Sequence, residues 1–362
     1  MFVYLAETYT QYFTFFNLFN YISFRTGAAV LTSLFFSLIF GEMIITFLST
    51  IQPTGQPIRS DGPERHLFEK AGTPTMGGVL ILASIIISFI LWAKLTNYYV
   101  WISLFACIAF GLVGFLDDYK KIYSKSSYGL KASTRIILQI VLAFIIIFLI
   151  YSTMPENLNS TINFPFFKNL IIDLGMFFFI FGIFIIVGSA NAVNLTDGLD
   201  GLAIVPVMIV ATTFAFIAYV SGNINFSEYL QINYIEGSGE LSVFCGAIIG
   251  SALGFLWFNA PPAKVFMGDT GSLSLGGGIA TLSIMTKHEI VLAIVGGLFV
   301  LETLSVIVQV ISFKFTGKRI FQMAPLHHHF EKKGWAESTI VIRFWIITIV
   351  LALIGLATLK IR

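Results

Sequence analysis

Charge is scarce in this chain. Asp, Glu, Lys and Arg make up 11% of its 362 residues, against about 25% in a soluble domain. That excludes an ordinary water-soluble globule with a charged shell. Cysteine is scarcer still. Cys107 and Cys245 both sit inside apolar runs, which argues against a disulfide framework. Long polar stretches are also missing. The largest gaps between apolar runs are about 25 residues, too short for a separate soluble domain, so 1–362 reads as one membrane domain. No basic region precedes the first apolar core. Residues 1–26 therefore read as an interfacial aromatic segment (Phe13, Phe15, Phe16, Phe19, Tyr21) and not as a cleaved signal peptide. No long repeat or low-complexity tract is visible, and a net charge of +2 leaves the class of partner open.

Oil is what the chain has: 57% hydrophobic and 15% aromatic residues. Apolar runs of roughly 20 residues recur along its length, the signature of membrane-crossing helices. The pattern predicts an all-α integral membrane protein of about ten transmembrane helices, at 27–48, 75–93, 98–116, 134–152, 171–190, 202–220, 241–258, 272–286, 290–313 and 339–359. The segments between them alternate sides. One side receives 51–74, 117–133, 191–201, 259–271 and 314–338 and carries thirteen Lys or Arg, including Arg59, Arg65, Lys70, Lys121 and Lys264. The other carries six: Arg25, Lys94, Lys168, Lys287, Lys360 and Arg362. Positive loops stay inside. The first side is predicted to be cytoplasmic, with both termini periplasmic.

Three short polar strings interrupt the oil: Gly114–Lys121, containing Asp117-Asp118; Asn191–Gly201, containing Asn194, Asp197 and Asp200; and Phe266–Ser272, containing Asp269. They hold five of the 19 carboxylates. Carboxylates are costly near lipid and tend to mark function there. All three strings fall on the predicted cytoplasmic side, as do His66, His327, His328 and His329. Together they can form one acidic, metal-binding site.

Asp117 and Asp118 stand at the end of the third span. Neighbours on a helix point about 100° apart, so one acid can face a metal or substrate while the other takes a proton. A solvated helix end followed by lysines would look the same. A prenyl-diphosphate synthase motif would need an acid where Lys121 stands. In the second string the Asp-Gly pairs predict a helix end running into a tight loop. A plain turn explains the glycines but not two Asn and two Asp. Asp269 opens the eighth span. It reads either as a helix cap or as a Mg²⁺ ligand beside a helix end that attracts phosphate. Three consecutive histidines rarely converge on one metal; a phosphate or substrate clamp fits them better. Gly276–Gly278 and Gly296-Gly297 suit close helix contact. Glu42 and Glu302 lie within spans and read as paired inside the bundle, though a charged membrane residue stays a functional candidate.

Together, these strings and Pro325–Glu331, with its His-His-His-Phe-Glu core, resemble the polyprenyl-phosphate N-acetylhexosamine-1-phosphate transferases, and among them the phospho-N-acetylmuramoyl-pentapeptide transferase family. The resemblance covers almost the whole chain. It implies transfer of phospho-MurNAc-pentapeptide from UDP-MurNAc-pentapeptide to undecaprenyl phosphate, giving lipid I and UMP with Mg²⁺, in peptidoglycan biosynthesis at the bacterial inner membrane. It implies Asp117, Asp118 and Asp269 as the central acids, with Asp269 a Mg²⁺ ligand. Lys70, Gly198, Leu199, Asp200, Asn259 and Phe266 match a uridine pocket. Thr75, Asn194, Asp197, His327 and His328 match the donor cleft, and Lys121 lies near phosphate. A basic position commonly lysine is Arg135 here. The resemblance further implies membrane lipid as a partner, a homodimer, no nucleic acid, and a ninth helix broken near its middle.

Both reactants carry phosphate, so repulsion must be offset, and Mg²⁺ on the pyrophosphate would do so. The acceptor phosphate can attack directly. A carboxylate can also deprotonate it, or attack first to form a covalent intermediate. Direct attack, with Asp117 orienting or deprotonating the acceptor, is the preferred route. Two other functions are compatible with acids in oil. A sister transferase would move GlcNAc-1-phosphate. An ion-coupled transporter would place its acids near the midplane on broken helices.

Overall fold

The recurring apolar runs become helices. The computed structural model describes residues 1–56, 70, 72–126, 128–167 and 170–360. Arg59, Arg65, His66, Lys168 and Arg362, used above for sidedness, lie outside the described residues. A short helix α1 (Phe2–Tyr9) and a 3-10 turn (Thr14–Asn20) lead into α2 (Ile22–Ile51). Then come α3 (Gly78–Trp92), α4 (Tyr98–Tyr123) and α5 (Ala132–Thr153). After a small hairpin follow α6 (Phe177–Thr196), α7 (Ile204–Ser221), α8 (Ile224–Leu230), α9 (Glu240–Asn259) and α10 (Gly268–Met285). The chain closes with α11 (Glu289–Val295), α12 (Gly297–Thr316), α13 (Leu326–Lys332) and α14 (Glu337–Thr358).

The molecule is an all-α membrane protein. Among the described residues, eight helices are long and apolar enough to cross a membrane: α2, α4, α5, α6, α7, α9, α12 and α14. The two other expected spans fall on α3, only 15 residues long, and on α10. Helix α10 has the length but is rich in Gly and Ser, because it is the core of the bundle. Every residue from Thr270 to Met285 is buried. Its glycines face backbone or large side chains: Gly276 meets Ser189 and Ala190 of α6, and Gly277 meets the Phe110 ring of α4. Without a water-driven hydrophobic effect between helices in lipid, such close contact and interhelical hydrogen bonds hold the bundle. Ser274 donates to the Cys107 carbonyl (2.9 Å), and the Ser37 and Ser84 hydroxyls meet at 2.7 Å. Helix α9, also largely buried, packs chiefly against α2 and α7.

The boundaries differ from the sequence pattern at several places. The fifth span starts at Phe177. Residues 161–163 and 171–173 instead form an antiparallel hairpin, whose exit turn is fixed by Asp173 accepting from Ser160 Oγ (2.6 Å) and from the Gly175 N–H (2.9 Å). The third span does not end at Asp117-Asp118; α4 runs on to Tyr123, so both acids lie inside a helix. The eighth starts four residues early, which puts Asp269 in its first turn. The ninth is divided at Gly296, after its first seven residues, not near its middle. Glu240, an expected outer-loop residue, lies in the first turn of α9. There it accepts two 2.6 Å hydrogen bonds from Arg25 of α2. That ion pair stands at the bundle end opposite Asp117 and Asp118, since α4 begins beside Trp92 and Lys94, which share the pair.

Candidate active site

Helices α4 and α10 bring the three acids together, and α6 adds Asn194 beside them. Gly114 of α4 rests against the backbone of Asp269 and Thr270, where any Cβ would collide. One turn later on the same face stands Asp118. Its Oδ1 accepts the Asp269 N–H (3.2 Å). Its Oδ2 accepts the Thr270 N–H (2.9 Å) and hydroxyl (2.8 Å). Asp118, and not Asp269, therefore caps α10, whose own N-cap residue Met267 offers no side-chain bond. Gly268 takes φ +73° between Asp118 and Thr75, a conformation and a space that glycine fits.

Asp269 is thereby left for other work. Asn194 Nδ2 donates to its Oδ1 (2.6 Å) and also to Ser272 Oγ (2.9 Å). Lys121 Nζ donates to its Oδ2 (2.8 Å), with Arg135 at 3.3 Å. Asp117 accepts the Leu130 N–H (2.8 Å) and sits 2.7 Å from Lys121, which lies 3.7 Å from Asp118. Oxygens of the three buried carboxylates lie within 4.8 Å of one another. Three carboxylates thus face two cations, an imbalance that suits a divalent ion and a phosphate. Hard oxygen ligands at this density fit Mg²⁺, which is held by a few carboxylates plus substrate oxygens.

A second cluster lies alongside. Lys70 Nζ meets Asp200 at 2.8 Å and Glu337 at 2.9 Å. Burial pulls its ammonium down, but the Glu337 and Asp200 carboxylates outweigh that and hold it above the usual lysine value. Glu337 also accepts the Asp200 N–H (2.9 Å), and Asp200 accepts the Ala263 N–H (3.0 Å). Asn259 accepts from the Gly201 N–H (3.0 Å) and donates to the Val265 carbonyl (2.9 Å). The Phe266 ring lies 5.8 Å from Lys70 Nζ. Lys70, Asp200, Asn259 and Phe266, spread over nearly two hundred positions, thus stand in one cluster. Asp197, the C-cap of α6, feels both clusters. Burial, then the charges of Asp269 and Asp118, push its carboxyl up to about 8, while Lys70 pulls the other way.

The remaining candidates take varied places. Thr75 is buried and its backbone is clamped by Gln52, which donates to its carbonyl (3.1 Å) and accepts its N–H (3.0 Å). Its hydroxyl lies beside Gly268. His327 is fully buried against Gly198, where a Cβ would strike its ring. His328 pairs with Glu331 at 2.9 Å, and His329 accepts the Gln322 N–H (3.1 Å). The three histidines thus face three different partners. The Leu199 side chain packs in an apolar cluster with Leu202, Leu298 and Phe344. Asn191 turns away from the acids to Gln139 (2.7 Å). Sequence reasoning missed Glu337 and Gln52. A lone acid in a first helical turn reads as a dipole partner, and a lone Gln at a helix end carries no signal.

Comparison with known proteins agrees with this geometry. The Glycosyl transferase family 4 model matches residues 100–287, which contain the three acids, and a phospho-N-acetylmuramoyl-pentapeptide-transferase signature matches residues 70–82, which contain Lys70 and Thr75. A phospho-N-acetylmuramoyl-pentapeptide-transferase of Pelagibacter ubique (strain HTCC1062) is 61% identical over 358 residues, covering 99% of each chain. One of Maricaulis maris (strain MCS10) is 58% identical over 351 residues, covering 96% of each.

Proposed function

The chain belongs to the phospho-N-acetylmuramoyl-pentapeptide-transferase family, and on that premise we propose how its two clusters divide the work of a glycosyl-1-phosphate transferase in peptidoglycan synthesis. Phospho-MurNAc-pentapeptide moves from UDP-MurNAc-pentapeptide to undecaprenyl phosphate, giving lipid I and UMP. The observation that carries the assignment of roles is the adjacency of the acid triad and the Lys70 pocket, with Asp197 under the field of both.

The Lys70 pocket holds the uridine half of the donor. Phe266 offers a ring face, Asp200 and Asn259 offer oriented polar groups, and Glu337 keeps Lys70 in place. Lys121 and Arg135, aimed at the triad, bind phosphate oxygens. Asp117, Asp118 and Asp269 would hold Mg²⁺, with Asp269 a direct ligand, and the bound ion would supply charge neutralisation for the UMP leaving group. Asp118 sets the position of Asp269 through the start of α10. An oxygen of the acceptor phosphate attacks the phosphorus carried by the sugar, and the bond from that phosphorus to UMP breaks. Asp117 orients the acceptor and takes its remaining proton when it arrives as the monoanion. Asn194, Asp197, Thr75, His327 and His328 line the donor cleft.

The site faces the cytoplasm of the bacterial inner membrane in this proposal. Segments around 70, 117–135, 194–201, 259–269 and 326–337 meet at one end of the bundle, the end to which the basic bias assigns them. Ten crossings, periplasmic termini and a homodimer complete it. The test is UMP release by the purified protein from UDP-MurNAc-pentapeptide and undecaprenyl phosphate, with no ion gradient. Release only with UDP-GlcNAc as donor would move the chain to the sister branch; no release would sink the assignment.

A further inference from the structure

Helix α12 is mostly exposed, and its buried positions are Leu298, Phe299, Glu302 and Ser305. A fully buried carboxylate on such a helix is costly unless its oxygens are bonded. Glu302 is 0% exposed, and among the described residues its side-chain bonds go to one segment. Oε2 accepts the Leu326 N–H (2.7 Å). Oε1 accepts the His327 N–H (3.2 Å) and lies 3.3 Å from His327 Nδ1. These are the first two residues of α13, whose N-cap Pro325 supplies no side-chain bond. Their amides would otherwise be orphaned.

Two turns on, the same helix repeats the device. Gln309 Oε1 accepts the Ile320 and Phe321 N–H groups (3.0 Å each), and its Nε2 donates to the Phe321 carbonyl (2.9 Å). The stretch 320–327 is thus strapped to α12 at both ends. The strap sets His327 between Glu302 on its Nδ1 side and Gly198 on its Nε2 side. Gly198 belongs to the turn that also carries Asp197 and Asp200.

We propose that Glu302 is a positioning residue for donor recognition. Its carboxylate fixes the backbone of Leu326-His327 through two amide bonds and, 3.3 Å from Nδ1 without a hydrogen bond to it, favours by its charge the proton on that nitrogen. Nε2 is then left as an acceptor toward the Asp197–Asp200 turn. Glu302 touches no reacting atom. It acts through His327 and its segment on how the sugar–peptide half of the donor is held. This rests on the function proposed above.

Glu302→Gln keeps the shape but puts an amide N–H₂ where an acceptor is needed; Glu302→Asp keeps the charge. With UDP-MurNAc-pentapeptide as varied substrate, E302Q should raise KM about tenfold or more, the range of lost hydrogen bonds to a charged group, with kcat changed far less. Inhibition by UMP should stay near wild type, because the Lys70 pocket makes no bond to Glu302. E302D should recover part of the loss. Two readouts are independent of turnover. Amide exchange of 320–330 should quicken in E302Q, and the His327 ring ¹⁵N shifts should leave the Nδ1–H pattern. Wild-type donor KM in E302Q would overturn the proposal, as would equal loss of UMP binding. If E302Q does not fold, Gln309→Ala serves: it should raise donor KM in the same direction, and an unchanged KM there counts against the strap. Failure of the wild type to use this donor would defeat the function assignment while leaving the exchange and tautomer results to decide the positioning claim.

Discussion

Two buried ionic clusters stand at opposite ends of the bundle, and they are built on opposite principles. At one end Arg25 and Glu240 match one charge with one, by two parallel 2.6 Å bonds. The carboxylate's remaining capacity goes to the Lys94 N–H (2.9 Å), and Arg25 also reaches the Trp92 carbonyl (3.2 Å). Among the described residues only Arg25 Nε is left without a partner at this pair, and no net charge is left over. At the other end three carboxylates share two cations, and a fourth acid, Asp197, sits in their field. The first arrangement closes a helix packing problem. The second leaves an excess of negative charge, which the proposed divalent ion would balance. A buried charge pair is thus not by itself a sign of function; an unbalanced one is.

The comparison breaks most sharply at the balanced end. Arg25→Met leaves Glu240 buried without its partner, which costs about 3–5 kcal/mol when a buried pair is broken. Arg25→Met with Glu240→Gln removes both charges and keeps an acceptor for the Lys94 N–H, so most of that loss should return. Thermal unfolding of the purified protein checks this, with turnover per folded molecule unchanged in both. A double variant as unstable as the single one would mean that the pair is more than a packing device.

The unbalanced end should show the reverse signature. Asp117→Ala, Asp118→Ala or Asp269→Ala should each lower turnover by about 10²-fold or more, the scale of a lost catalytic or electrostatic group. Thermal stability should fall little in Asp117→Ala, which relieves repulsion with Asp269, and more in Asp269→Ala, which takes a bonded carboxylate from Lys121 and Arg135. Asp118 is the informative case: as the cap of α10 it should lose about 1 kcal/mol of stability along with activity. Near-wild-type turnover in any of the three removes that residue from the mechanism.

How much of this was legible follows from the same contrast. Acids in oil stand out, so the three strings point to one site before any fold is known. Lys70, Asp200, Asn259 and Phe266, proposed to hold the uridine half, are legible as a group only through resemblance, since no spacing links positions so far apart. Glu337 escapes because its partner Lys70 lies 267 residues away. Helix α10 is under-read by hydropathy because it contacts protein on every side and needs small residues more than oily ones. For Asp269 the local rules leave a cap and a metal ligand both open, because they see only its own helix, while the capping carboxylate comes from α4. Glu302 reads as a paired membrane acid, and it is one, but its partners are backbone amides that sequence cannot show.

The smallest expected effect sharpens the comparison furthest. Among the described residues no cation is bonded to Asp197, and burial with the charges of Asp269, Asp118 and Asp200 holds its carboxyl at about 8. Below that pH it is largely neutral; above it, it adds a negative charge to the field of the triad. A divalent ion at the triad should therefore bind more tightly as pH rises through about 8. By reciprocity, the bound ion should lower the pH at which Asp197 ionises. Asp197→Asn should remove this step. The half-activating Mg²⁺ concentration of the wild type should fall about fivefold more between pH 6.5 and 9 than that of D197N, the low end of coupling between sites. Mn²⁺ binding followed by electron paramagnetic resonance gives the same comparison without turnover. Arg25 and Glu240 offer the control. Charges there are balanced and lie at the far end, so Arg25→Met with Glu240→Gln should leave the metal's pH dependence untouched. If D197N keeps the full wild-type pH dependence, the step belongs to the triad itself, and Asp197 lies outside its electrostatics.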